Sequence, residues 1–144
     1  MSFSRRVNLA VEQLELALTL FLEKQSYVAA LTLAGAVEEI LGKALTLQGE
    51  KPSLHRKFQV SAPVHAALHR KPLRWSDFTD RENLARHAAK HMESVNDATG
   101  TIDLEDAAIW MIVRACDNYD RLGRSRTGKM TEFDEWFYEH VVGV

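Results

Sequence analysis

Cysteine occurs once in the 144 residues, at Cys116, which excludes an intrachain disulfide and a cysteine-based zinc cluster. A lone thiol suits a reducing compartment, so the cytoplasm is the expected location. Three prolines and seven glycines are too few for a collagen-like or linker-rich chain. Long apolar runs are missing as well. The stretch from Leu14 to Leu22 follows Arg5 and Arg6, but Glu12 and Glu15 interrupt it and no small-residue cleavage site follows, so neither a signal peptide nor a membrane span is expected. What is present is a balanced composition, 46% hydrophobic and 26% charged with a net charge of −2. That composition belongs to a soluble globule, and the length fits one domain over 1–144 with a core large enough to fold unaided.

The patterning is helical. Val7, Val11, Leu14, Leu18 and Phe21 recur at helical spacing over 3–24, with Glu12, Glu15 and Glu23 off the stripe. Ser26 can cap a second helix running to about Gln48, where Gly49 and Pro52 stop it. Its apolar residues cover most of the circumference, which marks it as central. All three prolines, Pro52, Pro63 and Pro72, fall in 49–80, where periodicity is weakest. That segment reads as a long connection with one short helix from Val64 to His69. Thr79 or Asp80 caps a helix containing 81–94, and Asp103 opens another, with core stripe Leu104, Ala108, Met111, Ala115, Tyr119 and Leu122, that Gly123 closes. Thr131 caps a last short helix carrying Phe133, Trp136 and Phe137. No segment reads as a strand. The expected fold is an all-α antiparallel bundle of four main helices with short additions.

The stretch RENLARHAAKHMES, 81–94, carries the chemistry-bearing residues. At about 100° per residue, Leu84, Ala85, Ala88, Met92 and Val95 share an inward face. Asn83, Arg86, His87, Lys90, His91 and Ser94 occupy the opposite one. His91 falls at the border, where partial burial can tune an imidazole while leaving its tip accessible, as a general acid or base requires. Arg86 lies five positions earlier, and its long side chain can reach towards the same pocket. The pattern equally suits a solvated helix face. A metal reading is also open, because His87 and His91 are four apart and can share an ion with carboxylates of another helix. No HExxH or paired ExxH motif supports it, so neither metal nor cofactor is expected.

Glu38 projects between Leu31, Gly35, Gly42 and Leu45, inside an apolar arc, whereas Glu39 joins Thr32, Lys43 and Thr46 on a solvent stripe. A carboxylate so placed requires a partner such as Arg86, His91 or a backbone donor. It either fixes helix register as a buried pair, escapes to solvent at the helix edge, or orients an active-site residue. From Lys51 to Arg74 the chain carries Lys51, Arg56, Lys57, Arg70, Lys71 and Arg74 and no acidic residue, with His55, His65 and His69 among them. A second acid-free stretch holds Arg121, Arg124, Arg126 and Lys129. Gathered beside Arg86 and Lys90, these bases form a surface for a phosphate backbone; left apart, they are solvated loops.

Arg86-His87-Ala88-Ala89-Lys90-His91 resembles the Arg-x4-6-His motif, with a polar residue directly after the arginine, of the HEPN superfamily of small helical ribonucleases and toxins. LTLAGAVEEILGKAL and RACDNYDRL are similar to stretches of small bacterial HEPN-like proteins, and the resemblance covers most of 3–123. It implies a HEPN-like bundle and a homodimer whose two motif copies face each other across a composite cleft. It also implies metal-independent cleavage of RNA, with His91 handling the 2′-hydroxyl proton and Arg86 stabilising charge on the scissile phosphate. Asn83, Glu38 and Lys90 would support them, while His87 stands where asparagine or aspartate is more usual. The expected partners are RNA or a nucleotide and an antitoxin protein of nucleotidyltransferase type. Many HEPN-like domains bind nucleotides or proteins without cutting, which is the competing expectation. Cys116 reads as a packed thiol, and Trp136, Phe137 and Tyr138 as core or dimer contacts.

Overall fold

The computed structural model describes residues 2–90 and 103–143, the side chains of 88–90 excepted. Among these the regular structure is entirely helical, with no strand. The order is α1 (Phe3–Leu22), α2 (Tyr27–Leu47), α3 (Ser53–His69), α4 (Trp75–Glu82), α5 (Leu84–Lys90), α6 (Leu104–Arg121) and α7 (Gly128–Phe137), closed by a π-helical turn over Tyr138–Val142.

The N-terminal expectations hold in detail. Val7, Leu14, Leu18 and Phe21 are buried along α1, joined by Ala10 and Ala17. The Ser26 hydroxyl accepts from the Ala29 N–H at 3.1 Å and so satisfies one of the donors left open at the start of α2. After α2 the chain turns through Gly49, whose φ of +79° suits a residue without a Cβ. Ten α2 residues are buried, because α1 packs on one side of this helix and α6 on the other. Asp103 accepts from the Asp106 N–H at 3.0 Å and opens α6 as expected. Ala108, Met111, Ala115 and Tyr119 of its stripe are buried, and Gly123 follows with φ +77°. Phe133, Trp136 and Phe137 close the far end against Phe21, with the Trp136 ring edge-on to Phe21 at 4.8 Å.

Four readings are corrected. Residues 49–80 are not mainly connection, since α3 and α4 occupy most of the segment and Val64–His69 is only the end of α3. The start of α3 lacks a local side-chain cap; the Ser53 N–H donates instead to Asn118 Oδ1 of α6 at 2.8 Å. A cap supplied across 65 positions leaves no local signature. Second, 81–94 is not one helix. Arg81 and Glu82 finish α4, in which Thr79 and Asp80 are interior, and Asn83 (φ −106°, ψ 8°) interrupts the chain before α5. The Asn83 N–H donates to the Thr79 carbonyl, and the Asn83 carbonyl accepts from His87. Third, Leu84 is 60% exposed rather than inward-facing, because the break at Asn83 rotates α5 relative to the continuous helix that periodicity assumed. Fourth, Thr127 rather than Thr131 caps α7, accepting from the Met130 N–H at 3.3 Å. Among the described residues no helix is long and apolar enough to cross a membrane.

Candidate functional site

Glu38 is buried, but its partner is neither Arg86 nor His91. It is Arg114 of α6, whose Nη2 donates to Glu38 Oε1 at 2.9 Å. Both side chains are less than one-tenth exposed, so each neutralises a charge that burial would otherwise penalise severely. The rest of the cluster is polar and satisfied. Arg114 Nη1 donates to Asn83 Oδ1 at 3.1 Å, and Asn118 Nδ2 donates to the Glu38 backbone carbonyl at 3.1 Å. One buried network therefore ties α2, α6, the α4–α5 break and, through Asn118, the start of α3. Arg114 stands three positions beyond Met111 and was hidden at the edge of the expected core stripe.

Arg86 pairs with the other glutamate. Its Nη1 meets Glu39 Oε1 at 2.5 Å, and its stem lies flat on α2 over Gly35. A Cβ at Gly35 would overlap Arg86 Nε and Cδ and stand 3.1 Å from Cζ, so this glycine is what admits the side chain. The Arg86 side chain is 14% exposed, whereas that of Glu39 is 55% exposed. The solvent stripe assigned to Glu39 is thus correct, and the arginine reaches out to it.

Arg86 forms one wall of a cleft of about 400 Å³ bounded by α3, α4, α5 and α6. Leu31, Met111 and Val113 give it an apolar floor, while Lys57, Arg81, Arg86 and Arg114 face Glu82 and Asp106 around it. Lys57 holds Glu82 at 2.8 Å. With Arg86 held by Glu39 and Arg114 by Glu38, the charges around the cleft balance, and Arg81 is the base left without a carboxylate partner among the described residues. At the edge stands Trp110, 48% exposed, its indole N–H donating to Asp106 Oδ1 at 3.2 Å. Sequence reasoning missed Arg81, Arg114 and Trp110. The available signal for Trp110 was that it falls off the α6 core stripe; in the structure its ring also meets Phe137 edge-on at 5.6 Å.

No family model, curated protein or solved structure matches this chain.

The remaining candidates divide. His91 lies outside the described residues, as do Met92, Ser94 and Val95 and the side chains of Ala88 and Lys90. The expected approach of Arg86 towards a His91 pocket therefore falls partly outside them. Glu38 borders a different hollow, between α2 and α3, and connects with the Arg86 cleft only through Arg114. His87 is exposed on α5. The Lys51 to Arg74 bases do not converge: Lys57 lines the cleft, Arg56 pairs with Asp117 at 3.6 Å, and Arg70, Lys71 and Arg74 sit at or beyond the far end of α3. The second basic stretch is largely engaged elsewhere, with Arg121 on Asp117, Arg126 between Asp120 and Asp134, and Arg124 on Asn8. Among the described residues no three His, Cys, Asp or Glu side chains are grouped as metal ligands. Cys116 is a packed thiol, and burial pushes it up to about 12.

Proposed function

We propose that the protein is a HEPN-like helical bundle that binds RNA in the Arg86 cleft and cleaves it without a metal ion. The observation that carries this reading is the company Arg86 keeps: a guanidinium fixed on a glycine seat, an unpaired Arg81 beside it, and an exposed Trp110 across an apolar floor. Guanidinium groups bind phosphate in a fixed fork geometry, and an indole face stacks on a base. A volume of about 400 Å³ suits a nucleotide rather than a bare anion.

RNA carries its own nucleophile, so the protein has to supply only acid–base and cationic groups. In this reading His91, which follows directly after Lys90, takes the 2′-hydroxyl proton as that oxygen bonds to the adjacent phosphorus, and returns it to the 5′-oxygen as the P–O5′ bond breaks, leaving a 2′,3′-cyclic phosphate and a 5′-hydroxyl. Arg86 stabilises the charge that develops on the phosphate, and Arg81 holds a neighbouring phosphate. The Glu38–Arg114–Asn83 network positions α5 without touching substrate. A homodimer with facing motifs is part of the proposal.

One observation favours a second reading. Lys57 and Arg86 are each already ion-paired, so a ligand phosphate has to displace or share their carboxylates. That suits a module which binds a nucleotide without turnover.

The test is cleavage of labelled RNA by the purified protein in EDTA, beside Arg86→Ala, His91→Ala and Trp110→Ala. The first two should lose cleavage by about 10²-fold or more, and Trp110→Ala should weaken RNA binding by about 1–3 kcal/mol. Equal cleavage by wild type and both motif variants refutes the catalytic assignment. Binding without turnover, still sensitive to Arg86 and Trp110, selects the second reading.

A further inference from the structure

Beyond Lys57, α3 carries Val60, Val64 and Leu68, spaced four apart on one helical face. They are 74%, 57% and 73% exposed. Aliphatic side chains in such a row are ordinarily covered, and scattered single exposure does not account for three in register. They form one wall of a groove of about 360 Å³ between α3 and α4, with Phe78 and Leu73 at its base.

The rim is basic. Arg81 lines this groove as well as the cleft, and His65 and His69 lie along it with their rings tilted to each other and centroids 4.5 Å apart. Partial desolvation, then His69, Lys71 and Arg81, hold the His65 imidazole below its ordinary value. Lys71 and Arg74 border the adjoining hollow with Asp77 and Asp80, while the groove's own carboxylate, Glu82, is held by Lys57. Lys71, Arg74 and Arg81 thus stand against Asp77 and Asp80 along the trough and the hollow that adjoins it.

We propose that this groove is a docking site for an acidic amphipathic helix of a partner protein. The apolar face of that helix would lie on Val60, Val64 and Leu68, and its Glu and Asp residues would face Lys71, Arg74 and Arg81. Three features select this occupant. Anchors at i, i+4 and i+8 beside a trough are the complement of a helix laid into a groove. A second copy joined through the same face would set the acid-free run 51–74 against itself, opposing like charges. A membrane surface is met by a convex apolar crest, whereas these side chains line a concavity. Because Arg81 belongs to both groove and cleft, an acidic helix docked here withdraws the cleft's unpaired guanidinium. The docked partner therefore lowers the cleft's affinity for anions.

The test is selection from a displayed library of randomised helical peptides, about 18 residues long, against the full chain, with Val64→Asp/Leu68→Asp as counter-target. Enriched peptides should carry aliphatic residues three and four apart flanked by Glu and Asp, and should bind the double variant at least about tenfold more weakly. Both positions are exposed, so the variant should melt with wild type. If it does not, Val64→Ser/Leu68→Ser replaces it. The proposal is overturned if no specific peptide is enriched, if the enriched peptides are basic, or if the double variant binds them equally. Binding to phosphatidylserine vesicles that the variant abolishes, or a light-scattering dimer that it dissolves, also overturns it.

Discussion

Gly35→Ala separates the role of Arg86 from the stability of the fold. Gly35 lies in the interior of α2, where alanine is favoured over glycine by about 0.5–1 kcal/mol. The added methyl overlaps the middle of the Arg86 side chain and touches no backbone within 3 Å, so the arginine rather than the helix has to move. Moving it loses the Arg86–Glu39 pair. With Glu39 more than half exposed, solvent screening limits that pair to about 0.2–1 kcal/mol. The two terms are of similar size and opposite sign, so urea unfolding should give a stability within about 1 kcal/mol of wild type. Cleavage should behave differently. A guanidinium displaced from its seat loses its geometry against the phosphate, and the rate should fall towards that of Arg86→Ala, by about 10²-fold. A stable Gly35→Ala protein that cleaves RNA like wild type refutes the reasoning. A loss of more than about 3 kcal/mol refutes its structural half, because Arg86 then cannot vacate the contact.

The buried pair makes a prediction about stability alone. Arg114→Met and Glu38→Leu should each cost about 3–5 kcal/mol, since either strands a buried charge, while the double variant should recover most of that loss. Additive costs in a urea double-mutant cycle would contradict the assignment. Cys116 should resist thiol reagents in the native state at about pH 8.5 and react fully in denaturant, because burial pushes it up to about 12. The folded state holds this proton more tightly than the unfolded chain, so the contribution is intact below the ordinary thiol range and is lost as pH rises towards about 12. Wild type should therefore lose stability above about pH 9 more steeply than Cys116→Ala, and parallel slopes would contradict this.

Recognition of α3 failed for an instructive reason. Its single buried residue is Leu54, its interior holds Pro63, and its apolar stripe faces outward, so the inward-facing periodicity that marks α1 and α6 is weak. The break at Asn83 is likewise invisible locally, because what holds that side chain is Arg114, thirty-one positions away. Arg86 was legible as a candidate from its motif, but its seat on Gly35 and its partner Glu39 were not.

The sequence by itself determined the helices whose signals are local. Ser26 and Asp103 cap α2 and α6 through hydrogen bonds three residues long, and the α1 and α6 stripes follow from a rotation of about 100° per residue. It also singled out Glu38 as a carboxylate inside an apolar arc, while leaving open whether it is buried or escapes to solvent at the helix edge. Only the tertiary structure decided which cation meets that carboxylate, where Trp110 stands, and that Lys57 of the basic run 51–74 lines the cleft while Lys71 and Arg74 line a separate hollow. Capping and periodicity act within a few residues, whereas pairing across 76 positions depends on how helices pack, and many packings share one periodicity.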